Sequence, residues 1–175
     1  GQKIRHYNFG GLAVSSDSIK FNRISKAPIL DRSDEGLLVR AGQSFNEHEG
    51  CFHHFYSSGS SFVKAGTKNR PCYDIYYQKS DSIDNLSKEG VLKIKHNPEV
   101  EHGLGRPQII KIKEFFYLFY TRRMLNMKYF VGCSRSKDLD QWENYDSIFD
   151  EIKHQDNSFD SDMIYFPSVF YNPEI

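Results

Sequence analysis

Neither sign of charge is in excess along these 175 residues: 23 Lys and Arg balance 23 Asp and Glu. No net field recruits nucleic acid or an anionic membrane surface, and neither is expected as a partner. Cysteine is scarce and odd in number. Cys51, Cys72 and Cys133 show no Cys-x-x-Cys spacing, which argues against a disulfide framework and a zinc site and fits a reducing, cytoplasmic location. No apolar run approaches the roughly 20 residues of a membrane helix, and no signal-peptide pattern opens the chain. A glycine-rich phosphate loop, a hydrolase nucleophile elbow and a helical zinc motif are also missing, which removes the common nucleotide and esterase chemistries. His53 and His54 alternate across a strand, so they cannot share a metal. No metal and no cofactor are expected.

What the chain has is aromatic residues and repetition. Eleven Tyr and 14 Phe against a single Trp suit pleated surfaces and also sugar platforms. Tyr73-Asp74-Ile75 leads to Ser80-Asp81-Ser82-Ile83 and Leu86. Tyr129-Phe130-Val131 leads, 56 positions on, to Ser136-Lys137-Asp138-Leu139 and Trp142. Phe9, Ser16 and Ile19 match Tyr73, Ser80 and Ile83 at a spacing of 64, and the same spacing lays 50–57 over 114–121. Strand-like repeats this far apart are the pattern of β-propeller blades, each a small sheet that buries its faces only against its neighbours.

Alternation and β-branched or aromatic enrichment predict strands near 9–14, 38–46, 51–57, 73–78, 90–94, 107–112, 115–121, 129–134 and 164–170. Tight turns are expected at 48–50 and 113–114, surface loops at 58–72 and 95–106, and one amphipathic helical turn is compatible with Ile148, Phe149 and Ile152. The fold class expected is all-β, with blades of four-stranded antiparallel sheets in an incomplete ring of about three blades. The whole of 1–175 reads as one partial propeller domain with blade parts at 1–31, 32–95, 96–153 and 154–175. Unfinished ends would let two copies complete one another as a homodimer.

These residues resemble the five-bladed β-propeller glycosidases, the broad group of glycoside hydrolase families 43, 32 and 130. Ser136 to Trp142 is similar to the Ser-x-Asp-Leu-x-x-Trp run that closes a blade in arabinanase-like enzymes. Residues 11–17, 27–32, Gly105-Arg106-Pro107 and 160–167 resemble a bacterial glycosidase-like subgroup found beside surface-polysaccharide genes. The resemblance implies a carbohydrate partner and a module that acts on or binds a glycan, with a bacterial surface polysaccharide as the expected ligand. A catalytically silent sugar-binding or scaffold propeller and a phosphorylase-like enzyme are the alternatives.

Glycoside cleavage needs an acid to protonate the leaving oxygen and a second carboxylate as base or nucleophile. Asp34, Glu35, Glu101, Asp160 and Asp162 precede or enter inner strands, where a propeller gathers its site. The subgroup has Glu where Asp162 stands, so the resemblance makes Asp162 the general-acid candidate; Glu35, from the acids that precede inner strands, is the second catalytic candidate. Arg106, Glu101, His102, Asp160, Tyr165, Arg122 and Asp34 are the expected substrate contacts. Arg122 and Arg123 fit an acidic sugar or a phosphate. The plain alternative for every one of these groups is turn capping or ion pairing.

Overall fold

The structure, a computed structural model, describes residues 7–149 and 161–174. Its strands in chain order are β1 (Asn8–Phe9), β2 (Ala13–Val14), β3 (Asn22–Arg23), β4 (Val39–His48), β5 (Cys51–Ala65), β6 (Lys68–Ser80), β7 (Val91–Ile94), β8 (Glu101–Ile112), β9 (Phe115–Met124), β10 (Tyr129–Ser136) and β11 (Glu143–Asn144). β4 to β7 and β8 to β11 are two antiparallel four-stranded meanders, the blades expected from the repeats. β1 lies parallel against β4, and β2 and β3 form a small separate ladder. The two blades join backbone to backbone at one parallel register pair, Tyr73 opposite Gly103. The described strands do not close into a ring.

The core lies between the blades. Phe55 and Ile75 of the first blade pack with Leu104, Ile109, Phe116, Leu118, Tyr120 and Leu139 of the second. β9 shows why the sequence folds this way: Phe116, Leu118 and Tyr120, two apart, put one pleat face into that cluster. Trp142 reaches across from the turn after β10 and meets the Phe55 ring edge-on at 5.5 Å. Full burial of a side chain of this size stabilises by about 1.5–3 kcal/mol, so apolar area fixes the blade pair.

The turn expected at 48–50 is a tight hairpin with φ of 53° at Glu49 and 72° at Gly50, the mirror-image turn that matches strand twist. The turn at 113–114 joins β8 to β9. Asp138 accepts from the backbone N–H groups of Asp140 and Gln141, and Ser136 Oγ from that of Leu139. Asp17 repeats the pattern with Ile19 and Lys20, and the residue after each Asp has positive φ, Ser18 at 58° and Leu139 at 64°. The matching serine in the first repeat is therefore Ser15, one position before the Ser16 expected. The Ser80 turn differs: its hydroxyl donates to the Ser82 carbonyl.

Three local expectations are corrected. Residues 58–72 are not a loop: past a register shift between Ser58 and Ser61, β5 and β6 run on as a hairpin arm to Gly66 and Thr67. The arm is largely solvated, so its composition is polar although its backbone is paired. Residues 101–106 likewise belong to β8. Residues 164–170 form no ladder; they are pinned instead by the Gln108 amide, which donates to the Val169 carbonyl at 3.0 Å and accepts the Val169 N–H at 3.0 Å. A side chain there does what a neighbouring strand would do. Where the helical turn was expected, Ile148 and Phe149 lie in a short 3-10 turn at Asp146–Phe149, and Ile152 lies outside the described residues.

Candidate functional site

The inner strands of both blades bulge at the same place. In β4 the pairing shifts between Ala41 and Ser44, and in β8 between Gly105 and Gln108, so Gly42-Gln43 and Arg106-Pro107 are each two residues set against one. Gly42 and Arg106, 64 positions apart, both take positive φ, 67° and 51°. The bulges face each other: a Cβ on Gly42 would lie 3.2 Å from the Arg106 backbone nitrogen, a tight approach that together with the positive φ favours glycine there. Pro107 costs no ladder bond inside a bulge.

Two cavities flank this contact, and Gly42 and Arg106 line both. One, of about 380 Å³, is completed by Gln43, Ser44, Pro107, Gln108 and Pro167. The other, of about 360 Å³, has an aromatic wall of Tyr7, Phe9 and Tyr73, a floor of Val39, Ala41, Ser57 and Pro71, and the side chains of Arg106 and Arg123. No carboxylate lines either cavity among the described residues. The Arg106 guanidinium sits 3.9 Å over the Phe166 ring, and that of Arg123 lies 5.3 Å from Tyr73 and 5.1 Å from Tyr129. Aromatic faces hold these cations where an acid would otherwise be expected. Burial pushes the Tyr73 phenol up to about 12, with the Arg123 charge opposing it.

The sequence-expected residues divide among separate networks. Glu35 is half-buried with its side chain largely enclosed; it accepts from Arg40 Nε at 2.9 Å, Tyr56 hydroxyl at 2.7 Å and Gly90 N–H at 2.8 Å. Burial raises the Tyr56 phenol, keeping it a donor to that carboxylate. Asp34 is exposed in the Ser33–Gly36 turn beside it. Glu101 is buried and accepts from Arg122 Nε at 2.5 Å and Asn97 N–H at 2.7 Å, and Arg122 reaches on to Asp146 at 3.2 Å. His102 is buried, its Nδ1 against the Pro71 carbonyl at 3.2 Å; burial lowers its pKa, and the Arg123 and Arg70 charges add to that. Asp162 pairs at the surface with Lys128 at 2.6 Å. Tyr165 meets Tyr129 edge-on at 5.3 Å and Phe166 at 4.6 Å. Asp160 lies outside the described residues. Glu35, Glu101 and Asp162 thus sit in three different ion pairs, and of the expected residues only Arg106 and Arg123 line these two cavities.

Gly42, Tyr73 and the tyrosine at position 7 were not among the residues expected at the site. A glycine inside a strand pattern, 64 positions from Arg106, was the available signal for the paired bulges. Nothing local marks Tyr73, since its role depends on where β6 meets β8.

No protein-family profile matches the chain. An uncharacterized protein of Mycobacterium tuberculosis is 24% identical over 161 residues, covering 91% of this chain and 52% of its own; the chain thus spans about half the length of that curated relative. Among solved structures, a thermostable family-43 glycoside hydrolase superposes with a TM-score of 0.58 at 21% identity, over 77% of this chain and 45% of that one. Sucrose-6-phosphate hydrolase from Lactobacillus gasseri gives 0.56 at 16% identity, over 71% and 25%. A family 117 glycoside hydrolase from the marine bacterium Zobellia galactanivorans gives 0.55 at 18% identity, over 70% and 42%. The chain has the fold of the five-bladed β-propeller glycoside hydrolases, of which the described residues form a part.

Proposed function

We propose that this glycosidase-type propeller module binds a glycan, a bacterial surface polysaccharide or its precursor, in the cavity between β1, β4 and β8. The observation that carries this reading is the cavity lining: Tyr7, Phe9 and Tyr73 give it an aromatic side, and Asn8 and the two arginines offer polar contacts for a sugar's hydroxyls. Binding is favoured over cleavage because glycoside hydrolysis needs two carboxylates about 5–10 Å apart across one pocket. The glutamates near the inner strands are occupied by arginines, and Asp162 pairs with a surface lysine.

A glycan array probed with the intact protein tests the proposal, followed by a reducing-end assay on every glycan retained. Retention of at least one oligosaccharide class without release of reducing ends is the expected outcome. An array with nothing retained overturns glycan binding, and release of reducing ends overturns the preference for binding over cleavage.

A further inference from the structure

The 360 Å³ cavity has a charge character that a neutral sugar does not require. Arg106 and Arg123 both line it, and neither has a carboxylate within ion-pair distance among the described residues, whereas Arg40, Arg122 and Arg135 all do. Nε of Arg123 is buried without a hydrogen-bond partner among the described residues. A third guanidinium, of Arg32, stands 4.8 Å over the Tyr7 ring on the aromatic wall. His102, hydrogen-bonded to the carbonyl of the cavity residue Pro71, has its pKa lowered by burial and then by the Arg123 and Arg70 charges, and its Nε2 has no partner among the described residues. An unsatisfied buried donor on Arg123 costs free energy, and the exposed Arg106 guanidinium beside it is open to a ligand's acceptors.

We propose that this cavity recognises a sugar carrying an anionic substituent, a carboxylate or a phosphate ester, held by Arg106 and Arg123 while Tyr7, Phe9 and Tyr73 take the ring. This rests on the glycan-binding reading above and narrows it to a ligand class. Two guanidinium forks at one mouth match the planar or tetrahedral oxygens of either group, and charge-assisted hydrogen bonds are about twice as strong as neutral ones.

Titration calorimetry on the intact protein at low ionic strength decides it, with four probes: a uronic acid disaccharide, a hexose 6-phosphate, the neutral parent sugars and inorganic phosphate. One acidic sugar is expected to bind about 10- to 100-fold more tightly than its neutral parent, a gap that narrows with added salt. Which acidic sugar it is tells uronate from phosphate ester. Arg106→Gln is expected to close most of the gap; Arg106 is exposed, so the variant keeps its fold, and Arg123→Gln should act in the same direction. Arg135→Gln, which alters a guanidinium paired with Glu143, should leave the gap unchanged. Equal binding of acidic and neutral sugars, or a gap indifferent to Arg106→Gln, overturns the inference and leaves glycan binding standing. Inorganic phosphate binding as tightly as the sugar phosphate also overturns it, since the ring would then contribute nothing. Failure of every sugar, neutral ones included, overturns the glycan reading itself.

Discussion

The two blades fasten their inner ends with the same pair of residue types but in different surroundings. In the first, Glu35 and Arg40 are 7% and 3% exposed, and the carboxylate also holds Tyr56 and the Gly90 N–H. In the second, Glu101 is 4% exposed, but Arg122 is 32% exposed and shares itself with Asp146. The first knot is dry and closed; the second opens to water and has a spare acid. The difference teaches that a glutamate at the start of an inner strand is not thereby a catalytic group, and that its contribution to stability depends on whether its arginine has another way to be satisfied.

The sharpest way to break the comparison is to delete one glutamate from each blade. Glu35→Ala leaves the Arg40 charge in the interior without a counter-charge, held only by the Asp31 carbonyl and the Tyr56 hydroxyl, and is expected to cost about 3–5 kcal/mol in urea unfolding, a large share of a typical domain's stability. Glu101→Ala leaves Arg122 with Asp146 and with water, so about 1–3 kcal/mol is expected by the same measurement. Equal losses would mean that the openness of the second knot does not matter.

Acid sharpens the contrast. His54, fully buried in the first blade and stacked on Phe45 at 4.0 Å, has its pKa lowered to about 3 by burial and then by the Arg40 charge. Its folded pKa lies below the unfolded value of 6.5, so its contribution is fully present above about pH 6.5 and is lost as the pH falls toward 3, at about 1.4 kcal/mol per unit. His54→Phe keeps the stacking and should flatten that slope in unfolding curves taken between pH 7 and 4.5. An unchanged slope would assign the acid sensitivity to His53 and His102, whose pKa values burial also lowers. The smallest effect is expected for Asp162→Asn: with Lys128 and Asp162 47% and 69% exposed, stability should move by less than about 0.5 kcal/mol, and glycan retention should not change.

Repetition made the blades readable, because each sheet repeats its apolar pleat; that Ser136 and Asp138 close a blade came from the resemblance of 136–142 to the arabinanase-like run. The first repeat's turn sits on Ser15 and not Ser16 because such a turn is defined by which Asp oxygen meets which N–H and not by its apolar neighbours. The hairpin arm beyond Ser58 was hidden because a strand wet on both sides carries no alternation. Burial decided the site, and burial was the property least visible in sequence. Glu35 lies five positions from Arg40, but Glu101 and Arg122 lie 21 apart on neighbouring strands, and only the folded register shows that both acids are already engaged. Arg106 was legible from its place before Pro107; its paired bulge at Gly42 required the two strands to be set side by side.

The seam at Tyr73 and Gly103 has a consequence for motion. A sheet opens cooperatively because each ladder bond supports the next, and here the ladder is interrupted to one rung while side chains carry the rest of the contact. Thermal opening of one blade therefore need not unzip the other. Amide hydrogen exchange should resolve two families of opening free energies, with the boundary between Ile94 and Glu101, and the slower family should mark the more rigid blade.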